Sequence, residues 1–500
     1  MIDFSQVAGG FLALLDPIVF AYMIGGFLIG LVFAAIPGLT GTLALALLLP
    51  ITFGMDVTPS LVMCAALFMA GQYGGSITAI AINIPGAPCS VMTGLEGNKL
   101  MIRGEGARAM RQSAIASAIG GVVGAVLLIL LAPFVARAAL WIQTPGKFSL
   151  IMFALVIVII SNKTAISKGI IATVLGVMIA TIGVDVLNPV ARQTFGISQL
   201  IEGVDLMALI IGTFALAEVF TQLVRRGAFA KDKIDIRQKM RRLDFVPRLS
   251  DVREIGLWTY IKSSLIGYGV GVLPGAGGSA ASFVSYAEAK RASKRPEEYG
   301  NGSGEGVAAA EAANNSMCSG SLVPMLTFGI PGDTTAAIIL GVLVINGLQP
   351  GPQLFTEQFH LVAPMMAALL VCALLIPIAL VALGPIIMRV VQINKAILFP
   401  AIAVMALIGV YASTYSAFQM LLAAIIGLLA YLMNRQGYPT VSLLLGFILG
   451  PDLEVYLRRS LSITDGNPAI FLTSGDSLFF LGLTAIFFYF MVLRRSPTLT

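Results

Sequence analysis

Two short stretches decide the fold: "VLPGAGGSA" occupies residues 272–280 and "AIPGLTGTL" occupies residues 35–43. Each places a Pro-Gly pair and a glycine-containing turn inside an apolar segment. Proline removes a backbone donor and glycine weakens a helix, so both stretches predict breaks in helices. Irregular backbone inside a membrane is tolerated only where protein or a wet cavity surrounds it. The breaks therefore indicate an interior site in a membrane protein.

The composition supports a membrane protein of helical class. The chain has 500 residues, of which 57% are hydrophobic and 11% are charged, whereas soluble proteins carry about 25% charged residues. Apolar runs at 113–136, 148–162 and 477–493 approach or reach the length of about 17–25 residues that lets a helix cross a bilayer. The sequence predicts an all-α polytopic membrane protein.

The basic residues indicate how the chain is oriented. The net charge is +6, and the basic residues fall in loops, where the positive-inside bias explains them without nucleic acid. Loops expected in the cytoplasm are listed here: 98–111, Lys163 with Lys168, 225–254, Arg389 with Lys395, Arg435, and Arg494 with Arg495. Segments 188–204 and 347–358, poor in Lys and Arg, are expected outside. Arg458 and Arg459 fit this pattern poorly, and an interfacial turn is expected for them.

The segment 262–290 has basic residues at both ends. If both flanks are cytoplasmic, the segment must enter the membrane, turn at Pro274-Gly275 and leave by the same face. Arms of about 12 residues reach about 18 Å, roughly halfway through the bilayer. This is the pattern of a re-entrant hairpin.

The two parts of the chain share one order of motifs. "IPGLTG" (36–41) precedes "YGGSITAIAINIPGAP" (73–88) as "LPGAGG" (273–278) precedes "CSGSLVPMLTFGIPGDT" (318–334), with offsets of 237 (37 to 274) and 246 (85 to 331). The loops that follow the two units are expected on opposite faces, so the repeats are predicted to be inverted. Inverted repeats with interrupted helices point to a secondary transporter.

The predicted organisation has two halves joined by a linker. The first half covers 1–224, with a hairpin and broken helix at 25–96 and spans at 113–224. The cytoplasmic linker covers 225–254. The second half covers 255–500, with a hairpin at 262–290, a broken helix at 306–347 and spans at 361–494. The side on which the amino terminus lies stays open, because Asp16-Pro17 argues against a regular span over 5–22.

The residues at the breaks are the candidate ligands. Free N–H groups and helix N-termini favour a carboxylate, and neutral oxygens favour a cation. The candidates for substrate binding are Pro37, Gly38, Thr40, Gly41, Thr42, Gly74, Gly75, Ser76, Pro274, Gly275, Gly277, Gly278, Ser279, Asn314, Asn315, Gly332, Thr334 and Thr335. The candidates for a Na⁺ site are Asn83, Ser319, Ser321 and Asp333.

Other interpretations of these residues stay open. Small residues also occur at tight helix contacts, and Asp333 could ligate a cation, carry a proton or cap the next helix. Na⁺ is preferred to H⁺ as the coupling ion, because neutral oxygens are many and intramembrane carboxylates few. No tightly bound cofactor is expected.

Enzymatic motifs are not found. "GAGGSA" (275–280) lies in no βαβ unit, and no Gly-Lys-Ser/Thr phosphate loop exists. The single histidine, His360, follows a loop expected outside, and the four cysteines show no paired spacing. The sequence thus predicts no catalytic residues and no nucleic-acid partner.

At this level of detail the sequence resembles a known family, the large permease subunit of bacterial tripartite tricarboxylate transporters. The resemblance lies in "AAIPGLTGTLALALLLPITFGM" (34–55), "YGGSITAIAINIPGAP" (73–88), "GVGVLPGAGGSAASFVSYAEAK" (269–290), "EAANNS" (311–316) and "LTFGIPGDTTAAIILG" (326–341). The family motifs carry over to Pro37–Thr42, Gly74–Ser76, Pro85-Gly86, Pro274–Ser279, Asn314-Asn315 and Pro331–Thr335.

The resemblance implies a multi-pass carboxylate importer of the bacterial inner membrane, for citrate or a similar acid, driven by a cation gradient. It also implies a small four-helix membrane subunit and a periplasmic binding protein as partners, and an elevator mechanism in which hairpins and broken helices move against a scaffold. Rival functions are a passive channel, an intramembrane enzyme and a scaffold or signalling subunit that does not transport.

Overall fold

The computed structural model describes residues 4–161, 166–224, 241–390 and 395–493. In this part of the chain the regular structure is helical, apart from one antiparallel pair in which Gly183–Val184 lies beside Ala191–Arg192. The predicted all-helical class is therefore confirmed. Lys163, Arg494, Arg495 and residues 225–240 of the expected linker lie outside the described residues.

The helices are numbered in chain order. They are α1 (Phe4–Ala13), α2 (Pro17–Ala35), α3 (Gly41–Thr52), α4 (Val57–Ile82), α5 (Val91–Ile102), α6 (Gly106–Ala139), α7 (Thr144–Ser161), α8 (Ile166–Ala180), α9 (Leu206–Ile210), α10 (Ala217–Val224), α11 (Leu249–Ile255), α12 (Leu257–Val272), α13 (Gly277–Ala292), α14 (Gly304–Phe328), α15 (Thr334–Ile345), α16 (Pro352–Thr356), α17 (Phe359–Val390), α18 (Lys395–Thr414), α19 (Ala417–Arg435), α20 (Thr440–Ile463), α21 (Ile470–Thr473) and α22 (Gly475–Phe488). A π-helical segment, Ile211–Leu216, joins α9 to α10.

Among the described residues, nine helices are long and apolar enough to cross a membrane. They are Pro17–Ala35, Val57–Ile82, Gly106–Ala139, Thr144–Ser161, Leu206–Val224, Phe359–Ile387, Ala417–Arg435, Thr440–Ile463 and Gly475–Val492. The predicted multi-pass membrane protein is confirmed at this level. The helices α3, α8 and α15 are apolar but shorter.

The segment 5–22 is divided between two helices. It is not one helix, since α1 ends at Ala13 and α2 begins at Pro17. Asp16 caps α2, because its carboxylate accepts from the backbone N–H of Ile18 at 2.8 Å and of Val19 at 3.2 Å. Ten residues in α1 reach only about 15 Å, too short to span a bilayer.

The described chain divides into two compact units, and each draws on both sequence halves. The first unit comprises residues 1–135, 222–272 and 276–402, and the second comprises 136–221, 273–275 and 403–500. The first unit contains all of α1 to α5 and all of α11 to α17. Pro274 and Gly275 belong to the second unit by this division.

The helix α14 explains how the first unit is built. Its composition is too polar for α14 to count as a candidate span, yet its residues from Gly306 to Thr327 are buried. Such a helix is stable in a membrane protein only where other helices cover every face. It packs against α12, α13, α5, α4 and α15, so α14 forms the interior of the unit.

The described end of the linker is tied to α6 in the same unit. Arg111 of α6 forms a buried ion pair with Asp251 of α11, with Nε at 2.8 Å from Oδ2 and Nη2 at 3.2 Å from Oδ1. Its Nη1 also donates to the carbonyl of Asp244 at 2.8 Å. A buried charge is tolerated when it is paired and hydrogen-bonded in this way.

The second unit provides partners for Arg458, one of the two arginines that fit the charge pattern poorly. In this unit α8 packs against α20, and Arg458 lies within α20 and not in an interfacial turn. Arg458 Nη1 pairs with Asp185 Oδ2 at 2.8 Å and with Glu454 Oε1 at 3.3 Å. Arg192 also pairs with Asp185 at 3.1 Å and with Glu454 at 2.7 Å. Partner carboxylates thus offset positive charge at this end of α20.

Candidate functional site

At the breaks, the helices begin and end where the sequence provides capping residues. Thr40 caps α3, its Oγ1 accepting from the backbone N–H of Leu43 at 3.0 Å. Asp333 caps α15, its Oδ1 accepting from the N–H of Ala336 at 2.9 Å. Gly329 ends α14 in the left-handed region at φ 70, a conformation that favours glycine. The capping role considered for Asp333 is therefore present.

The N-termini of α3 and α15 meet in the first unit. Thr42, in the first turn of α3, and Thr335, in the first turn of α15, bring their Oγ1 atoms to 2.8 Å. Because helix N-termini carry unpaired N–H groups and partial positive charge, two that meet create a place for an anion. No Lys or Arg is needed for this effect.

The N-terminus of α13 lies against the middle of α14 and against the segment that follows the first Ile-Pro-Gly break. A Cβ placed on Gly278 would lie 2.7 Å from Asn314 Oδ1 and 3.0 Å from Cys89 Cβ. Cys89 Sγ donates to Gln72 Oε1 at 3.0 Å, and Asn314 Nδ2 donates to the carbonyl of Gln72 at 3.3 Å. A side chain at 278 would crowd these groups, so glycine permits their close approach.

Several buried oxygens of α14 are left without partners. Among the described residues, the side-chain oxygens of Asn314, Asn315, Ser316 and Ser319 are buried and form no hydrogen bond. Buried polar atoms are rarely left unpaired, and each exception calls for an explanation. Amide and hydroxyl oxygens of this kind can bind a cation. The hydroxyls can also donate a hydrogen bond to an anion.

The remaining candidates lie in varied places. Asn83 is exposed and ends α4 in the left-handed region at φ 57, and Ser279 is exposed too. Ser321 donates to the carbonyl of Cys318 at 2.9 Å. A Cβ at Gly277 would lie 3.9 Å from Asp333 Cβ, and one at Gly38 would lie 3.1 Å from Gln222 Nε2.

Gly74 lies inside the continuous helix α4 and Gly320 inside the continuous helix α14, so neither stands at a break. These glycines bring helices into close contact at equivalent positions. A Cβ on Gly74 would press against the carbonyl oxygen of Leu31, and one on Gly320 against that of Tyr268. The carbonyls differ in position by 237 (31 to 268) and the glycines by 246 (74 to 320). Gly30 lies against the carbonyl of Leu67, and Gly267 lies against the carbonyl of Ala313. Here the glycines differ by 237 and the carbonyls by 246, so both offsets recur.

The backbone at the Ile-Pro-Gly breaks repeats as well. Gly86 N–H donates to the carbonyl of Gly75 at 3.3 Å, and Gly332 N–H donates to that of Ser321 at 3.2 Å. Donors and acceptors are both displaced by 246, the offset between the two breaks. The two breaks therefore fold alike locally.

Comparison with known proteins agrees with these features. The tripartite tricarboxylate transporter TctA family matches residues 20–445, most of the chain. The chain belongs to the TctA family. An uncharacterised 52.8 kDa protein in the TAR-I ttuC' 3' region of Agrobacterium vitis is 35% identical over 485 residues, covering 96% of this chain and 95% of the relative. No solved structure matches.

A second relative covers part of this TctA-family chain. An uncharacterised protein in the TAR-II ttuC' 3' region of Agrobacterium vitis is 39% identical over 214 residues, covering 43% of this chain and 88% of the relative. Family membership makes the chain a membrane subunit of tripartite tricarboxylate transporter type, and not an enzyme. The recognition made from the sequence motifs is confirmed.

The TctA-family chain also holds a group that the sequence reasoning missed, the carboxyl of Glu311 in α14. Its exposed fraction is 0%. Ser76 Oγ donates to Oε1 at 2.6 Å, Thr93 Oγ1 donates to the same oxygen, and Ser117 Oγ donates to Oε2 at 2.8 Å. The signal available was an acid in "EAANNS", among small residues, beside the asparagines that were chosen.

Proposed function

We propose that this chain imports a di- or tricarboxylate such as citrate, coupled to Na⁺ or H⁺, across a bacterial inner membrane. The observation that carries the proposal is the meeting of the N-termini of α3 and α15 at Thr42 and Thr335. Two helix N-termini favour an anion. Unpartnered oxygens on α14 give a cation its ligands in the same unit.

The repeated contacts support two inverted repeats. Close approaches of Gly74 and Gly320 and the hydrogen bonds of Gly86 and Gly332 recur at the offsets read from the motifs. The opposite charge of the loops at 98–111 and 347–358 supports an inverted insertion. The pairs α2 with α3 and α12 with α13 then correspond to two hairpins.

The division into two compact units supports an elevator mechanism. The first unit holds the candidate ligands on α3, α4, α14 and α15. In an elevator, such a unit carries the substrate past a scaffold, for which the second unit is the candidate. A small membrane subunit and a periplasmic binding protein, the partners that TctA family membership implies, would deliver the substrate.

The test is uptake of labelled citrate into vesicles that hold this chain with its small membrane subunit and binding protein. Accumulation against a gradient, driven by sodium or by a pH difference, would support the proposal. Equilibration without accumulation would favour a passive channel. No movement of any di- or tricarboxylate under either gradient would favour a scaffold that does not transport.

The site itself is tested by Thr42→Val. Loss of a hydroxyl that donates to a carboxylate costs about 1.5–3 kcal/mol, so the apparent affinity for substrate is expected to fall about 10- to 100-fold. Thr173→Val in α8 is the matched control, since Thr173 donates only to the carbonyl of Gly169 at 2.9 Å. An unchanged affinity in Thr42→Val would remove Thr42 from the site.

A further inference from the structure

Glu311 is held by groups that can reverse their hydrogen bonds. The partners of its carboxyl are the hydroxyls of Ser76, Thr93 and Ser117. A hydroxyl both donates and accepts, and its hydrogen turns to suit its partners. The three hydroxyls can therefore donate to a carboxylate, and any one of them can instead accept from a protonated carboxyl.

A second buried glutamate in the same unit shows the contrast. Glu96 of α5 is also 0% exposed, but it accepts from the backbone N–H groups of Gly300, Gly302 and Ser303 and from the Tyr286 hydroxyl. A backbone N–H can only donate. Three of the four hydrogen bonds to Glu96 therefore cannot reverse, whereas all three hydrogen bonds to Glu311 can.

Glu311 is connected to the candidate substrate site. Ser76 Oγ lies 3.0 Å from Ser90 Oγ, and Ser90 Oγ lies 4.0 Å from Cys89 Sγ. Cys89 meets Gly278 at the N-terminus of α13. On α14, Glu311 precedes Asn314 by three residues, about one turn or 4.5 Å along the axis. A change of charge at Glu311 therefore alters the electrostatic potential at the candidate substrate site.

No cation compensates Glu311 in the described part of the chain. None of the ion pairs found there includes Glu311. The titratable groups that interact electrostatically with it are the Tyr73 hydroxyl of α4 and the Cys89 thiol. On α12 and α13, Lys262 is paired with Glu288 at 2.6 Å. On α6, Arg111 is paired with Asp251. Ser113 of α6 offers a further buried hydroxyl beside the carboxyl.

We infer that Glu311 is the proton carrier of this transporter: its carboxylate takes up one proton with substrate and releases it to water on the opposite side. The inference rests on the proposed function. The preference for Na⁺ rested on many neutral oxygens and few intramembrane carboxylates, and Glu311 removes the second of these reasons. Intramembrane acids that lack a cationic partner are typical of proton relays.

The test uses vesicles with the full complex and a pH-sensitive dye inside. In the wild-type complex, each substrate imported is expected to acidify the interior. In Glu311→Gln, exchange of internal for external substrate is expected to continue, while acidification falls to that of vesicles without protein. Glu96→Gln is the matched control, and any transport it retains should acidify the interior as in the wild type.

A second measurement does not depend on transport. Infrared difference spectra of the purified complex, between acidic and alkaline buffer, should show a protonated carboxyl band that is lost in Glu311→Gln and kept in Glu96→Gln. Wild-type acidification that persists in Glu311→Gln, or an infrared difference unchanged by this substitution, would overturn the inference. If no acid is transported but the band titrates, the proposed function fails while Glu311 stays a proton site.

Discussion

At the scale of single residues, Glu96 is predicted to anchor the loop before α14. Its Oε2 accepts from the N–H of Gly302 at 2.7 Å and of Ser303 at 2.8 Å, and its Oε1 accepts from Tyr286 Oη at 2.5 Å. Glu96→Gln places amide hydrogens against these donors. Leaving buried donors unpaired costs about 1–3 kcal/mol each, so the melting temperature in detergent is expected to fall clearly.

Tyr286→Phe serves as the comparison for Glu96. It removes one donor and leaves the backbone N–H groups bonded to the carboxylate, so a loss of about 1 kcal/mol is expected. Equal melting temperatures for Glu96→Gln and the wild type would show that the loop is held by other contacts.

Asp185 is predicted to make the second unit sensitive to acid. The N–H of Leu187, the Arg458 guanidinium and the N–H of Asn188 lower the pKa of Asp185 from 3.8 to about 2. A lowered pKa in the folded state stabilises the fold above the unfolded value, and this contribution is lost as pH falls from about 4 through about 2. Melting of the wild type and of Asp185→Asn should therefore converge in that range. A constant difference between them down to pH 2 would contradict the assignment.

At the scale of elements, glycines set how closely helices approach α14. A Cβ on Gly267 would overlap the backbone of Ala313, whereas nothing lies within 4 Å of one on Gly269 in the same helix. Gly267→Ala is expected to destabilise the protein by about 1–3 kcal/mol through overpacking. Gly269→Ala should be neutral or stabilising by up to about 1 kcal/mol, because alanine favours a helix. Thermal unfolding of both variants checks this, and equal effects would contradict it.

The breaks could be predicted from the sequence because Pro-Gly and Ile-Pro-Gly have local causes. Thr40, Gly329 and Asp333 act within a few residues of themselves, as caps do. Glu311 could not be found this way, since its partners are 194 to 235 residues away in the chain, on α4, α5 and α6. Only packing brings Ser76, Thr93 and Ser117 to one carboxyl.

At the scale of the whole molecule, the proposed repeats are symmetrical in backbone and unlike in chemistry. With an offset of 246, Glu311 corresponds to Ala65 and Asp333 to Ala87. The close glycine contacts occur in both halves, but Glu311 and Asp333 have no acid at the corresponding positions of the first half. Packing therefore accounts for what the halves share, and these two acids mark a difference in their chemistry.

The inverted insertion can be tested on the intact chain by cysteine labelling. Cys64, Cys89, Cys318 and Cys372 are buried, so a maleimide that cannot cross membranes should give little background. Ile102 at the end of α5 is 71% exposed, and Gln353 in α16 is exposed too. In whole cells, Gln353→Cys should react and Ile102→Cys should not, because the loop at 98–111 is basic and the loop at 347–358 is not. Both should react in permeabilised cells, which controls for local access. Labelling of both variants in whole cells, or of neither, would mean that the two sequence repeats enter the membrane in the same orientation.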